Sequence, residues 1–108
     1  MKVPFRVRVP GVPVAVPAPF WLYDGVVTRQ EAALIAQTRA ALADVGDDAV
    51  SAARRRRQAT GIRLGEFAAL LGVSTAAVSQ WERGVRVPGA KHALAYGREL
   101  AALERKAA

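Results

Sequence analysis

Thr75, Ala76, Ser79, Gln80 and Arg83 share one side of an amphipathic helical stretch, Thr75 to Arg83, whose opposite side carries Val78 and Trp81, three apart. The outward set is two hydroxyls, a methyl, one primary amide and one guanidinium. Short polar groups of this kind hydrogen-bond without bulk, which suits a helix laid into a groove. A helix built only for solvent more often carries Glu and Lys at i, i+4 spacing. Other chemistry is hard to assemble from this chain. It has no cysteine, so disulfides and thiolate ligands are excluded, and His92 is its single histidine, too few for a zinc site. No nucleophile stands near a base. The glycines fall singly, at expected turns and helix ends, rather than in a phosphate-cradling loop. Neither enzymatic activity nor a cofactor or metal is expected.

A groove-seeking helix needs a start, a bend and a support. Ser74 is a good N-cap. Glu66 to Leu71 reads as a preceding short helix, and Gly72 stops it with the positive φ that a sharp bend requires. Val73 is the buried turn residue and Gly84 ends the second helix. Phe67, Ala68, Leu71, Val73, Val78 and Trp81 are spaced to interdigitate, with Ala68 small where the helices must approach closely.

The run F-A-A-L-L-G-V-S-T-A-A-V-S-Q-W-E-R-G-V-R-V-P, residues 67–88, resembles the Cro/C1-type helix-turn-helix domain (XRE family) of phage repressors and many bacterial regulators. The W-E-R-G…P ending, Trp81, Glu82, Arg83, Gly84 and Pro88, is its most telling part. The likeness covers roughly Val50 to Leu103 and implies a five-helix, lambda-repressor-like domain. Ser51 to Thr60 then supplies the first helix. Gly89 to Lys106 supplies the fourth, continuous with a fifth or broken from it at Gly97; a close helix contact is the other reading of that glycine. Leu94, Gly97, Leu100, Ala101 and Leu103 form the packing side.

The resemblance also implies roles. Helix 75–83 enters the major groove of double-stranded DNA, with Thr75, Ala76, Ser79 and Gln80 facing bases. The Gln80 amide can pair bidentately with adenine, and the Ala76 methyl can meet a thymine methyl. Arg83 and Arg86 are expected on phosphates, with Arg63 and Lys91 behind them. The run Arg54 to Arg57 points all round its helix, so it cannot line one phosphate strip. Arg57 matches the family arginine that pairs with the Glu of W-E-R-G, which assigns Arg57 and Glu82 to a structural ion pair. Members commonly have Gln where this chain has Leu64, and an apolar residue where it has Arg56. Trp81 is expected in the core and His92 on the surface.

The first half is of another character. Val3, Phe5, Val7 and Val9 alternate with Arg6 and Arg8, Pro10-Gly11 reads as a turn, and Val12, Val14 and Val16 resume the alternation. A short irregular β hairpin is expected. Phe20, Trp21, Leu22 and Tyr23 make a dense apolar cluster before Asp24-Gly25, expected either to cover the core of the second half or to sit in a subunit interface. Thr28, with Glu31 three residues on, is a capping box that opens a helix ending near Asp44 to Gly46.

The expected fold is therefore mainly α: residues 1–48 form a small β-containing module plus one helix, and residues 49–108 form the helix-turn-helix domain. Phe20, Trp21, Leu22, Tyr23, Leu34 and Ile35 are the candidate dimer or partner interface, since aromatic residues are enriched there.

The net charge of +7 lies wholly in the second half. Residues 1–49 hold five cations against five anions, and residues 50–108 hold eleven against four. A polyanion contacting the second half is the natural partner. Nothing approaches the ~20 apolar residues of a membrane helix, and no secretory signal is evident, so a cytoplasmic protein is expected. The leading reading is a homodimeric transcriptional repressor. A second takes the layout as similar to MqsA-type antitoxins without their zinc-binding cysteines, the first half binding a toxin or another protein. A protein-interaction adaptor is the third, and Leu64 is its one support.

Overall fold

The computed structural model describes residues 28–108, which form five helices: α1 (Arg29–Ala43), α2 (Ala52–Ala59), α3 (Leu64–Leu71), α4 (Thr75–Glu82) and α5 (Ala90–Ala107). The expected hairpin over residues 3–20 and the cluster Phe20 to Tyr23 lie outside the described residues.

Local signals start most of the helices. The Thr28 hydroxyl accepts from the Glu31 N–H at 3.0 Å, and the Thr28 N–H donates to Glu31 Oε1 at 2.7 Å. This reciprocal cap satisfies two donors that a helix start leaves open. Ser51 Oγ accepts from the Arg54 N–H at 3.1 Å to open α2. Between α1 and α2 the chain doubles back through an isolated antiparallel bridge, Val45 to Ser51, with Ala49 at a φ of 60°.

One core serves α2 to α5 and the end of α1. Phe67 and Tyr96 meet edge to face, ring centres 4.9 Å apart, among Leu42, Ala53, Ala68, Val78, Trp81 and Leu100. The span expected to hold a fourth and a fifth helix is one unbroken helix, α5, so residues 49–108 contain four helices. Gly97 is no break. It is buried where α1 crosses α5, and a Cβ there would stand 2.4 Å from Thr38 Oγ1 and 2.9 Å from Leu34 Cγ. The cost of glycine inside a helix, about 1 kcal/mol, is offset by the close approach it permits. The buried stripe of α5 is Ala93, Tyr96, Gly97 and Leu100, at i, i+3, i+4 and i+7.

Candidate nucleic-acid interface

The bend between α3 and α4 follows from two residues. Gly72 takes φ 71° and ψ 30°, and its N–H, with that of Val73, turns back to carbonyls at the end of α3. Ser74 then caps α4, its Oγ accepting from the Ala77 N–H at 3.1 Å. The α4 helix buries Val78, Trp81 and Glu82. Its other side faces outward: Thr75 and Ala76 are exposed, and Ser79 and Gln80 are half-buried. Beyond α4, Gly84 has a φ of 75° and no room for a side chain, since a Cβ would lie 2.8 Å from Val45 Cγ2. The following loop folds back on the helix, the N–H groups of Val85 and Arg86 both donating to the Gln80 carbonyl, at 2.9 and 3.3 Å.

Glu82, the last residue of α4, anchors it. Arg57 on α2 donates from Nε to Glu82 Oε2 at 2.7 Å and from Nη2 to Oε1 at 2.9 Å, and its Nη1 donates to the Ile62 carbonyl at 3.0 Å. Tyr96 on α5 adds its hydroxyl to Oε2 at 2.6 Å. The triad therefore ties α4 to α2 and α5 at once. Burial, then the bond to Glu82, pushes the Tyr96 phenol far above its usual range, so it is a permanent donor. The Ser51 N–H donates to the Glu82 carbonyl at 3.2 Å, a further tether from the α1–α2 turn.

Two sets of cations matter to the site. Arg55, Arg56, Arg57 and Arg98 pair with Asp48, Glu104, Glu82 and Glu31. Arg63, Arg83, Arg86 and Lys91 are exposed and make no ion pair among the described residues. Arg63 precedes α3, Arg83 and Arg86 flank the end of α4, and Lys91 lies in the first turn of α5.

Leu64 occupies the first position of α3 and packs against the core, so no side-chain amide is offered there. Arg56, at a position commonly apolar in the resembled family, is bound bidentately by Glu104 from the long α5, at 2.9 and 2.7 Å. Ile35 is only 2% exposed and belongs to the chain's own core, and Leu34 is half-buried against Gly97. His92, expected on the surface, is half-buried and stacks on Trp81, ring centres 5.5 Å apart. Tyr96 is the functional residue that the sequence reading missed. Its signal was the i, i+3, i+4, i+7 stripe that it shares with Ala93, Gly97 and Leu100.

A capped helix held at a glycine bend, with a short-side-chain face turned outward and unpaired cations around it, defines a DNA-binding helix-turn-helix domain, the kind carried by transcription regulators. Residues 54–101 match the family model Helix-turn-helix, and this segment is similar to helix-turn-helix domains of the Cro/C1 type. No curated protein and no solved structure gives a significant match to the chain. Among the described residues, no helix is long and apolar enough to cross a membrane.

Proposed function

We propose that the protein is a sequence-specific transcriptional repressor that inserts α4 into the major groove as a homodimer and acts on its own promoter. The observation that carries this reading is the division of α4: Glu82 is locked inward by Arg57 and Tyr96, while Thr75, Ala76, Ser79 and Gln80 are left unused by the fold. Gln80 reads adenine through its amide, Ala76 meets a thymine methyl, and Thr75 and Ser79 reach base edges or nearby phosphates. Arg63, Arg83, Arg86 and Lys91 hold the flanking backbone. Dimerisation through residues 1–48 places two such helices on half-sites about one helical turn apart.

The test is a gel shift on duplexes that the full chain selects from a random-sequence pool, at two salt concentrations. Selective binding that weakens steeply with salt is expected, because each neutralised phosphate releases counterions. Equal, weak binding to every duplex contradicts the reading. Size exclusion of the full chain separates the dimer from the antitoxin-like alternative, in which a monomer awaits a protein partner.

A further inference from the structure

Outside the matched segment, α1 brings one more cation to the edge of the reading helix. Arg39 donates from Nε to the Pro88 carbonyl at 3.2 Å. Arg39 and Arg86 both line one small open groove, together with Gly84, Pro88 and the apolar Leu42 and Val87. Neither arginine makes an ion pair among the described residues. Two like charges gathered in one groove without a counter-charge favour an anion there.

The surroundings agree. The Arg86 N–H donates to the Gln80 carbonyl, which ties this edge of the groove to the last turn of α4. Pro88 leads into α5 through Gly89, an N-cap with no side-chain hydrogen bond, so the positive end of a long helix begins one residue beyond the groove.

We infer that Arg39 is a further DNA-contacting residue, which together with Arg86 holds one backbone phosphodiester at the C-terminal edge of the reading helix. The inference rests on the DNA-binding reading above. The Nε–H, engaged by Pro88, orients the guanidinium plane and leaves the terminal nitrogens for two phosphate oxygens, the fork geometry that arginine offers and lysine does not. The packing of α1 on α5 across Gly97 positions this group before DNA arrives. The α1 helix is then part of the interface as well as a link to the first half of the chain.

The experiment measures affinity against salt for the full chain, Arg39→Gln, Arg39→Lys and Gln80→Ala, on the tightest duplex that the wild type selects from a random pool. Arg39→Gln should reduce the slope of log affinity against log salt by about 0.9, and weaken binding roughly fivefold at 0.15 M salt, equally across duplex sequences. Arg39→Lys should restore the slope. A slope unchanged in Arg39→Gln, with only the melting temperature lowered, makes Arg39 a latch on Pro88 and overturns the inference. In that case Gln80→Ala still alters base preference, so the DNA-binding reading survives. A wild type that selects no duplex overturns both.

Discussion

Arg56 and Arg57 are adjacent, and each makes a two-pronged bond to a glutamate at nearly equal distances. Their surroundings differ. The Arg57 and Glu82 side chains are 5% and 1% exposed, whereas those of Arg56 and Glu104 are 50% and 36% exposed. Water competes for the outer pair and cannot reach the inner one. Removing a partner is therefore cheap outside and costly inside, because only the buried survivor has no solvent to turn to. The comparison also shows why a four-arginine run is a poor guide to DNA contacts. Three of the four arginines are spent on Asp48, Glu104 and Glu82, whereas Arg83 and Arg86, at the end of α4, make no ion pair among the described residues.

The hardest strain on this comparison is Glu82→Ala, which strands Arg57 in the core. Stability should fall by about 3–5 kcal/mol, read by urea denaturation, and a variant that unfolds like the wild type would break the distinction between the pairs. Tyr96→Phe removes one donor to the buried carboxylate and leaves the arginine fork in place. A loss of about 1.5–3 kcal/mol is expected for a hydrogen bond to a charged group; a neutral result would mean that the fork alone satisfies Glu82.

Gln80→Ala moves the comparison to the outward face. It should cost about 1–3 kcal/mol of affinity at one base position while leaving urea denaturation unchanged. Lost stability instead would show that the fold does use this face.

Glu104→Gln should have the smallest effect, about 0.2–1 kcal/mol for an exposed pair. It also carries a pH signature. The bond from Arg56 holds the Glu104 carboxyl below the usual carboxylate range. Its contribution is complete above the ordinary value of 4.5 and is lost as pH falls through the lowered folded value. Thermal melts of wild type and variant should therefore differ at pH 7 and converge in strong acid. A gap that persists there would implicate something other than this carboxyl.

What could be read from the chain was local. Thr28 with Glu31, Gly72 and Ser74 act within a few residues, so their types alone place the starts of α1 and α4 and the bend before α4. Val78 and Trp81 are legible as an inward face because their spacing matches the helical period. What stayed hidden depends on residues far apart in the chain. Gly97 reads equally as a helix break or a close contact, and only the arrival of Leu34 and Thr38 from α1 decides for the contact. Tyr96 reaches a carboxylate on another helix, and His92 is drawn inward by Trp81. Arg56 looked out of place until the length of α5 brought Glu104 alongside. Arg39 gave no signal at all, because its relation to Pro88 exists only once α1 lies on α5.

The most direct test of a reading helix in the major groove is methylation protection of a selected duplex by the full chain, comparing guanine N7 in the major groove with adenine N3 in the minor groove. Protection of guanine N7 within each half-site, reduced by Gln80→Ala, is the predicted result. Bound protein that leaves every N7 reactive and shields only adenine N3 would contradict it.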